Sequence, residues 1–203
     1  GSEMCIRDRF GHGSVDLMYG GTGSGSVDTS KAPNLKEALE AQGIQVNQTL
    51  WDLYKSDSMM SKYSRLTPAS ISDTLEANTQ YAVNEAPWSA LSSAESSFAE
   101  YGDAAIVVVG RVGGEAGAYY PGEEGLADGV HTVNGNILSL SDEEMAMIEE
   151  AKANFDKVIV LVNAANPMEI SNLEEDPDID AILWVGYPGA YGFYAVSYTH
   201  LTL

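Results

Sequence analysis

Ala104-Ala105-Ile106-Val107-Val108-Val109 runs straight into Gly110-Arg111-Val112-Gly113-Gly114-Glu115, and the junction decides how the chain is read. A short apolar run rich in β-branched side chains is too brief for a helix and fits a strand covered on both faces, as in a parallel sheet packed between helices. Open sheets of that kind bind ligands beyond the carboxyl ends of their strands. Glu115 falls there, in a glycine-rich turn. For any single glutamate the ordinary alternative is a solvated acid in a flexible loop, so the weight given to Glu115 depends on the sequence around it.

The segments on either side of that strand alternate in the way an α/β fold requires. Asn34 with Glu37 spells a capping box, Leu35, Ala38 and Leu39 share one helical face, and Gly43 ends the turn. Ile44 to Asn47 reads as a short strand, and Leu50 to Lys55 as a helical turn or more, with Trp51 and Tyr54 as packing residues. Lys55 to Pro87 has weak periodicity and reads as an irregular insertion with one or two helical pieces, in which Met59 and Met60 fill gaps. Ser89 to Glu100 reads as a helix presenting Leu91, Ala94 and Phe98 to the sheet. Ser141 and Glu144 make a second capping box, followed by a buried stripe of Met145, Ile148, Ala151 and Phe155. The acids of that first turn are accounted for by the positive end of the helix dipole. Two further buried strands, Lys157 to Asn163 and Asp180 to Gly186, flank a short helix near Met168 to Leu173. Three strands thus deliver loops to one edge. Tyr191 to Tyr194 starts a helix packed on the sheet.

Composition excludes several classes of function. The chain has 203 residues, 44% hydrophobic and 20% charged, which suits one globular domain. Ten Lys and Arg against 30 Asp and Glu leave a formal charge of -20, which repels nucleic acid and anionic membranes but is indifferent to a neutral sugar. No apolar run approaches the length of a membrane span. Cys5 is the single cysteine, which rules out an intramolecular disulfide and a cysteine metal site. The spacing around Glu174 to Asp180 does not match a calcium loop. No metal or cofactor is expected.

Two loops carry residues suited to ligands. Tyr19 to Ser26 holds four glycines, yet its spacing breaks the dinucleotide pattern and lacks the ending of a P-loop. It remains either a linker-like turn or a structured loop packed on a partner or ligand. The long segment Ala116 to Asn136 carries Tyr119, Tyr120 and His131. The tyrosines either stack on sugar faces or anchor the loop, and His131 reads as a solvated or hydrogen-bonded loop residue.

Taken together, six stretches resemble the C-terminal sandwich domain of glycoside hydrolase family 3, which includes β-glucosidases and β-xylosidases. They are Phe10-Gly-His-Gly13, Gly20-Gly-Thr-Gly-Ser-Gly25, Ala105 to Arg111 with Gly113-Gly-Glu115, Leu138 to Glu144, Lys157 to Asn163 with Asn166 to Glu169, and Ala181 to Gly189. The resemblance implies a three-layer α/β sandwich whose mostly parallel sheet, of about six strands, lies between helices. It also implies that the sandwich docks on an N-terminal TIM-like barrel of the same full-length protein. The barrel supplies an Asp nucleophile and Glu115 serves as acid/base, with Arg111, Gly114, Tyr119 and Tyr120 placed to contact a β-glucoside or β-xyloside. Many members follow the acid with Gly and, two residues on, Asp, whereas Ala116-Gly-Ala-Tyr119 follows here. On this reading the chain alone has no hydrolase activity. The rival reading is a non-catalytic α/β module that binds a small ligand or partner. Both ends, Glu3 to Arg9 and Ser197 to Leu203, resemble translated sequencing-adapter read-through. The domain is therefore expected to occupy residues 10–196, with its first strand and C-terminal end truncated.

Overall fold

The computed structural model describes residues 6–21, 23–63, 84–113, 122–123, 126 and 129–195. Five strands form one sheet in the order β2-β1-β3-β4-β5, with every neighbouring pair parallel. They are β1 (Ile6–Phe10), β2 (Gln45–Val46), β3 (Ala104–Gly110), β4 (Val158–Asn163) and β5 (Ala181–Trp184). The two apolar runs read as doubly covered strands lie side by side at the centre, with Ala105 opposite Val158 and Gly110 opposite Asn163.

Alternation along those strands builds two cores. Ala105, Val107, Val109, Val158, Val160 and Val162 face one layer, while Ile106, Val108, Ile159 and Leu161 face the other. The first layer is made by α2 (Gln48–Lys55), a 3-10 helix (Ser92–Glu100) and α4 (Asp142–Asn154), which contribute Leu50, Tyr54, Phe98, Met147 and Ile148. The second is made by α1 (Leu35–Glu40) and helical residues 192–195, through Leu35, Leu39 and Phe193. Two further α-helices are short, α3 (Asp57–Lys62) and α5 (Ser171–Glu174).

Both capping boxes form as the sequence specifies. Asn34 accepts from the Glu37 amide, Ser141 accepts from the Glu144 amide, and each glutamate reaches back to its cap. Three expectations need correction. The first strand is present: residues 6–10 pair with β2 and β3 in the interior of the sheet. Residues 92–100 coil as a 3-10 helix, with Ala94, Ser97 and Phe98 buried. In α4 the buried position is Met147, while Met145 packs partly exposed against the core, because Glu144 itself is drawn inward.

Candidate functional site

Because all five strands run in one direction, their exits gather along one edge. Gly11 follows β1 with φ of 93°, and its N–H donates to the Tyr54 hydroxyl at 2.9 Å. A Cβ there would collide with the Val108 carbonyl oxygen, so the turn out of β1 admits only glycine. Asn163 ends β4 fully buried and joins two other exits. Its Nδ2 donates to the carbonyls of Met18 at 2.9 Å and Gly186 at 2.7 Å, and its Oδ1 accepts from the Met18 amide at 2.7 Å. The Tyr187 hydroxyl, from the loop after β5, donates to the Arg111 carbonyl at 2.7 Å. The loops after β1, β3, β4 and β5 are therefore tied into one rim.

Arg111 is the largest fully buried side chain of the described residues, and all five of its N–H donors find acceptors. Nε donates to the Ile137 carbonyl at 3.3 Å, Nη1 to the Gly110 carbonyl at 2.7 Å and to Glu144 at 2.8 Å, and Nη2 to the Ser139 carbonyl at 2.6 Å and to Glu144 at 3.0 Å. The Glu144 carboxylate also accepts the Ser141 N–H at 2.9 Å. Arg111 was expected to contact substrate. Its geometry leaves no donor for a ligand, and it acts instead as an internal tie between the exit of β3, residues 137–139 and the first turn of α4. Removing one partner of such a buried pair typically costs about 3–5 kcal/mol, although the pair itself gains little over apolar residues.

Beside this tie lies a cavity of about 40 Å³ lined by His12, Asp16, Glu85, Gly110, Val112 and Glu144 among others. It has room for about three water-sized occupants. Glu85 is buried there and accepts the N–H of His12 at 2.7 Å and of Ala86 at 2.9 Å. Burial pushes its pKa up to about 8, further raised by Glu144 and Glu143, although the two amide donors pull the other way. His12 Nε2 lies 3.3 Å from Asp16, and its Nδ1 is buried without a partner. The sequence carried no signal for Glu85, which sits in a stretch of weak periodicity 73 residues from the amide it accepts.

Gly114, Glu115, Tyr119 and Tyr120 lie outside the described residues. Residues on both sides are described: Val112 and Gly113 on the way out, and Thr132 to Leu140 on the return. Gly113 approaches Tyr187 so closely that a Cβ would stand 3.0 Å from the hydroxyl. His131 is exposed and pairs with Glu123 at 3.1 Å, which raises its pKa, while Glu123 is lowered first by the Thr132 N–H and then by His131. That is a loop contact of the kind read from sequence. The glycine loop is exposed over residues 23–30. Among the described residues no His, Cys, Asp and Glu cluster could hold a metal ion, and no helix is long and apolar enough to cross a membrane.

Comparison with known proteins adds a consistent set of likenesses. The glycosyl hydrolase family 3 C-terminal domain matches residues 10–198. A β-glucosidase of Ruminococcus albus is 25% identical over 186 residues, which is 91% of this chain and 17% of that protein. The solved β-glucosidase of Paenibacillus barengoltzii superposes with a TM-score of 0.68 at 26% identity, covering 96% of this chain and 19% of its own. β-Glucosidase 3B of Thermotoga neapolitana, solved in complex with α-D-glucose, gives a TM-score of 0.67 at 22% identity and covers 96% of this chain and 25% of its own. The chain thus spans a quarter or less of the length of these relatives.

Proposed function

Because the chain belongs to the glycosyl hydrolase family 3 C-terminal domain family, we propose that it supplies the acid/base half of a retaining β-glycosidase, with Glu115 as the proton donor. The substrate class is a terminal β-D-glucoside, in keeping with the β-glucosidase names of the relatives; a β-xyloside is the nearest variant. The nucleophile belongs to a TIM-like barrel domain of the same full-length protein. The observation that supports the reading is the agreement of six sequence stretches in family order with a parallel sheet whose exits share one rim, so that β3 ends at the ligand edge of the fold, five residues before Glu115 in sequence.

The chemistry explains the division of labour. A retaining glycosidase needs two carboxyl groups about 5 Å apart. One is ionised and attacks the anomeric carbon while the other, still protonated, gives its proton to the departing glycosidic oxygen. A covalent glycosyl-enzyme forms; the same Glu115, now a carboxylate, takes a proton from water, which attacks the anomeric carbon, and the configuration is retained. Proximity of the nucleophile and removal from water both raise the acid's pKa, keeping it protonated near neutral pH. Tyr119 and Tyr120 supply stacking surface for a sugar ring and Gly114 lets the backbone approach it.

The test is Glu115→Ala in the full-length gene product. Loss of a general acid lowers rate by about 10²- to 10⁴-fold where the leaving group needs protonation, so an unactivated disaccharide suffers and a dinitrophenyl glycoside suffers far less, with azide restoring turnover of the latter. Equal rates on the disaccharide before and after the substitution would overturn the assignment. Residues 1–203 alone are expected to hydrolyse no aryl β-glucoside.

A further inference from the structure

Arg111 is placed where the chain leaves the sheet, and its guanidinium holds the place where the chain returns. Its backbone belongs to the exit of β3, while its side chain donates to the carbonyls of Ile137 and Ser139, 26 and 28 residues on. The same side chain is forked onto Glu144, whose carboxylate also closes the capping box of α4. Its own carbonyl is held from the other side by Tyr187 at 2.7 Å. Exit, return, helix and the neighbouring rim loop thus meet at one residue with no exposed surface.

Stability alone does not account for this construction. A buried ion pair is commonly matched or bettered by apolar residues of similar volume. What five directed contacts from a rigid planar group add is a single allowed geometry, which neither an apolar pair nor a lysine reproduces. Residues 112–113 leave the sheet from that fixed base.

We propose that Arg111 and Glu144, with Tyr187, are positioning residues for proton transfer, setting the direction and height at which the segment carrying Glu115 leaves β3. This inference rests on the reading of Glu115 as the acid. A positioning role of this kind concerns where the proton donor stands relative to the leaving oxygen, so its signature is selective for substrates that need the proton.

The experiment compares Arg111→Lys, Tyr187→Phe and Glu115→Ala in the full-length enzyme on an unactivated disaccharide and a dinitrophenyl glycoside. Arg111→Lys is expected to lower kcat on the disaccharide about 10- to 100-fold, the scale of a small misplacement of a reacting group, to leave the activated glycoside nearly unchanged, and to move the basic limb of the pH profile. Tyr187→Phe deletes one hydrogen bond from a partly exposed ring. It shows the same selectivity in smaller measure and keeps the test alive if Arg111→Lys does not fold. Equal loss on both substrates, or a lowered Tm with unchanged selectivity, overturns the positioning role while Glu115→Ala remains selective. If Glu115→Ala is itself unselective, the acid assignment fails and this inference falls with it.

Discussion

Two arginines of this chain are almost equally buried and have opposite fates. Arg111 has no exposed surface and an acceptor for each of its five donors. Arg9, 3% exposed in β1, leaves Nε and Nη1 without a partner and has the Trp51 ring 4.5 Å from its guanidinium carbon. Burial lowers its pKa to about 9, against the pull of Glu40 and Asp8. Asp8 next to it is fully buried with both carboxyl oxygens unpartnered. Burial raises its pKa to about 7, though Asn47 and Arg9 pull it down; the Asn47 Nδ2 also donates to the Ser97 hydroxyl at 2.7 Å. The difference lies in acceptor supply. Arg111 stands at a strand exit, where carbonyls of irregular backbone are free to accept. Arg9 stands inside a strand, opposite Ile106 of β3, where no acceptor reaches its Nε and Nη1, and its neighbour Asp8 points to the opposite face.

Substitution at each arginine tests that contrast directly. Arg111→Met should destabilise the chain by about 3–5 kcal/mol, since it strands Glu144 and removes a donor from the carbonyls of Gly110, Ile137 and Ser139; a urea titration giving less than about 1 kcal/mol breaks the comparison, because that is the worth of one ordinary hydrogen bond. Replacing Asp8 and Arg9 together by Val should act in the opposite direction, raising stability by about 2–4 kcal/mol as unsatisfied groups leave the sheet. Unchanged or lower stability would mean that both charges are compensated after all, and that residues 6–9 suit this sheet better than the boundary at residue 10 supposes.

The buried carboxyls sharpen the comparison through pH. For Glu85 the folded pKa of about 8 lies above the ordinary 4.5, so between those values the folded chain holds more protons than the unfolded one. Its contribution is fully present below about pH 4.5 and is lost as pH rises toward 8. Asp8 contributes the same sign between 3.8 and about 7. Stability should therefore fall with rising pH by at most about 1.4 kcal/mol per pH unit per group, and Glu85→Gln should flatten the upper part of that slope. A slope of opposite sign in the wild-type chain contradicts both assignments. The smallest effect is expected at Asn47, which accepts the Leu50 N–H at 3.1 Å at the start of α2 and donates to Ser97. Asn47→Ala should cost about 1 kcal/mol, read from the shift in Tm.

The legible part of the site was the part written in adjacent residues. The run from Ala104 to Gly113 announced a doubly covered strand and its exit, Ser141 with Glu144 announced a helix start, and Asn163 marked a strand end. None of them named its partner. Glu144 was read as a capping residue, which it is, yet the arginine it holds lies 33 positions away. Glu85 looked like one more acid in an irregular stretch, because nothing nearby shows that it folds over the exit of β1.

By itself the amino-acid sequence determined the alternation of strands and helices, the two capping boxes and the gathering of strand exits on one edge. Those follow from periods of two and about 3.6 residues and from hydrogen bonds spanning three or four positions. Only the tertiary structure decided that residues 6–10 enter the middle of the sheet, that Arg111 turns inward as a tie, and that one arginine is fully partnered and another is not. These outcomes depend on which carbonyls remain free once the chain has closed on itself, and the supply is set by contacts between residues dozens of positions apart.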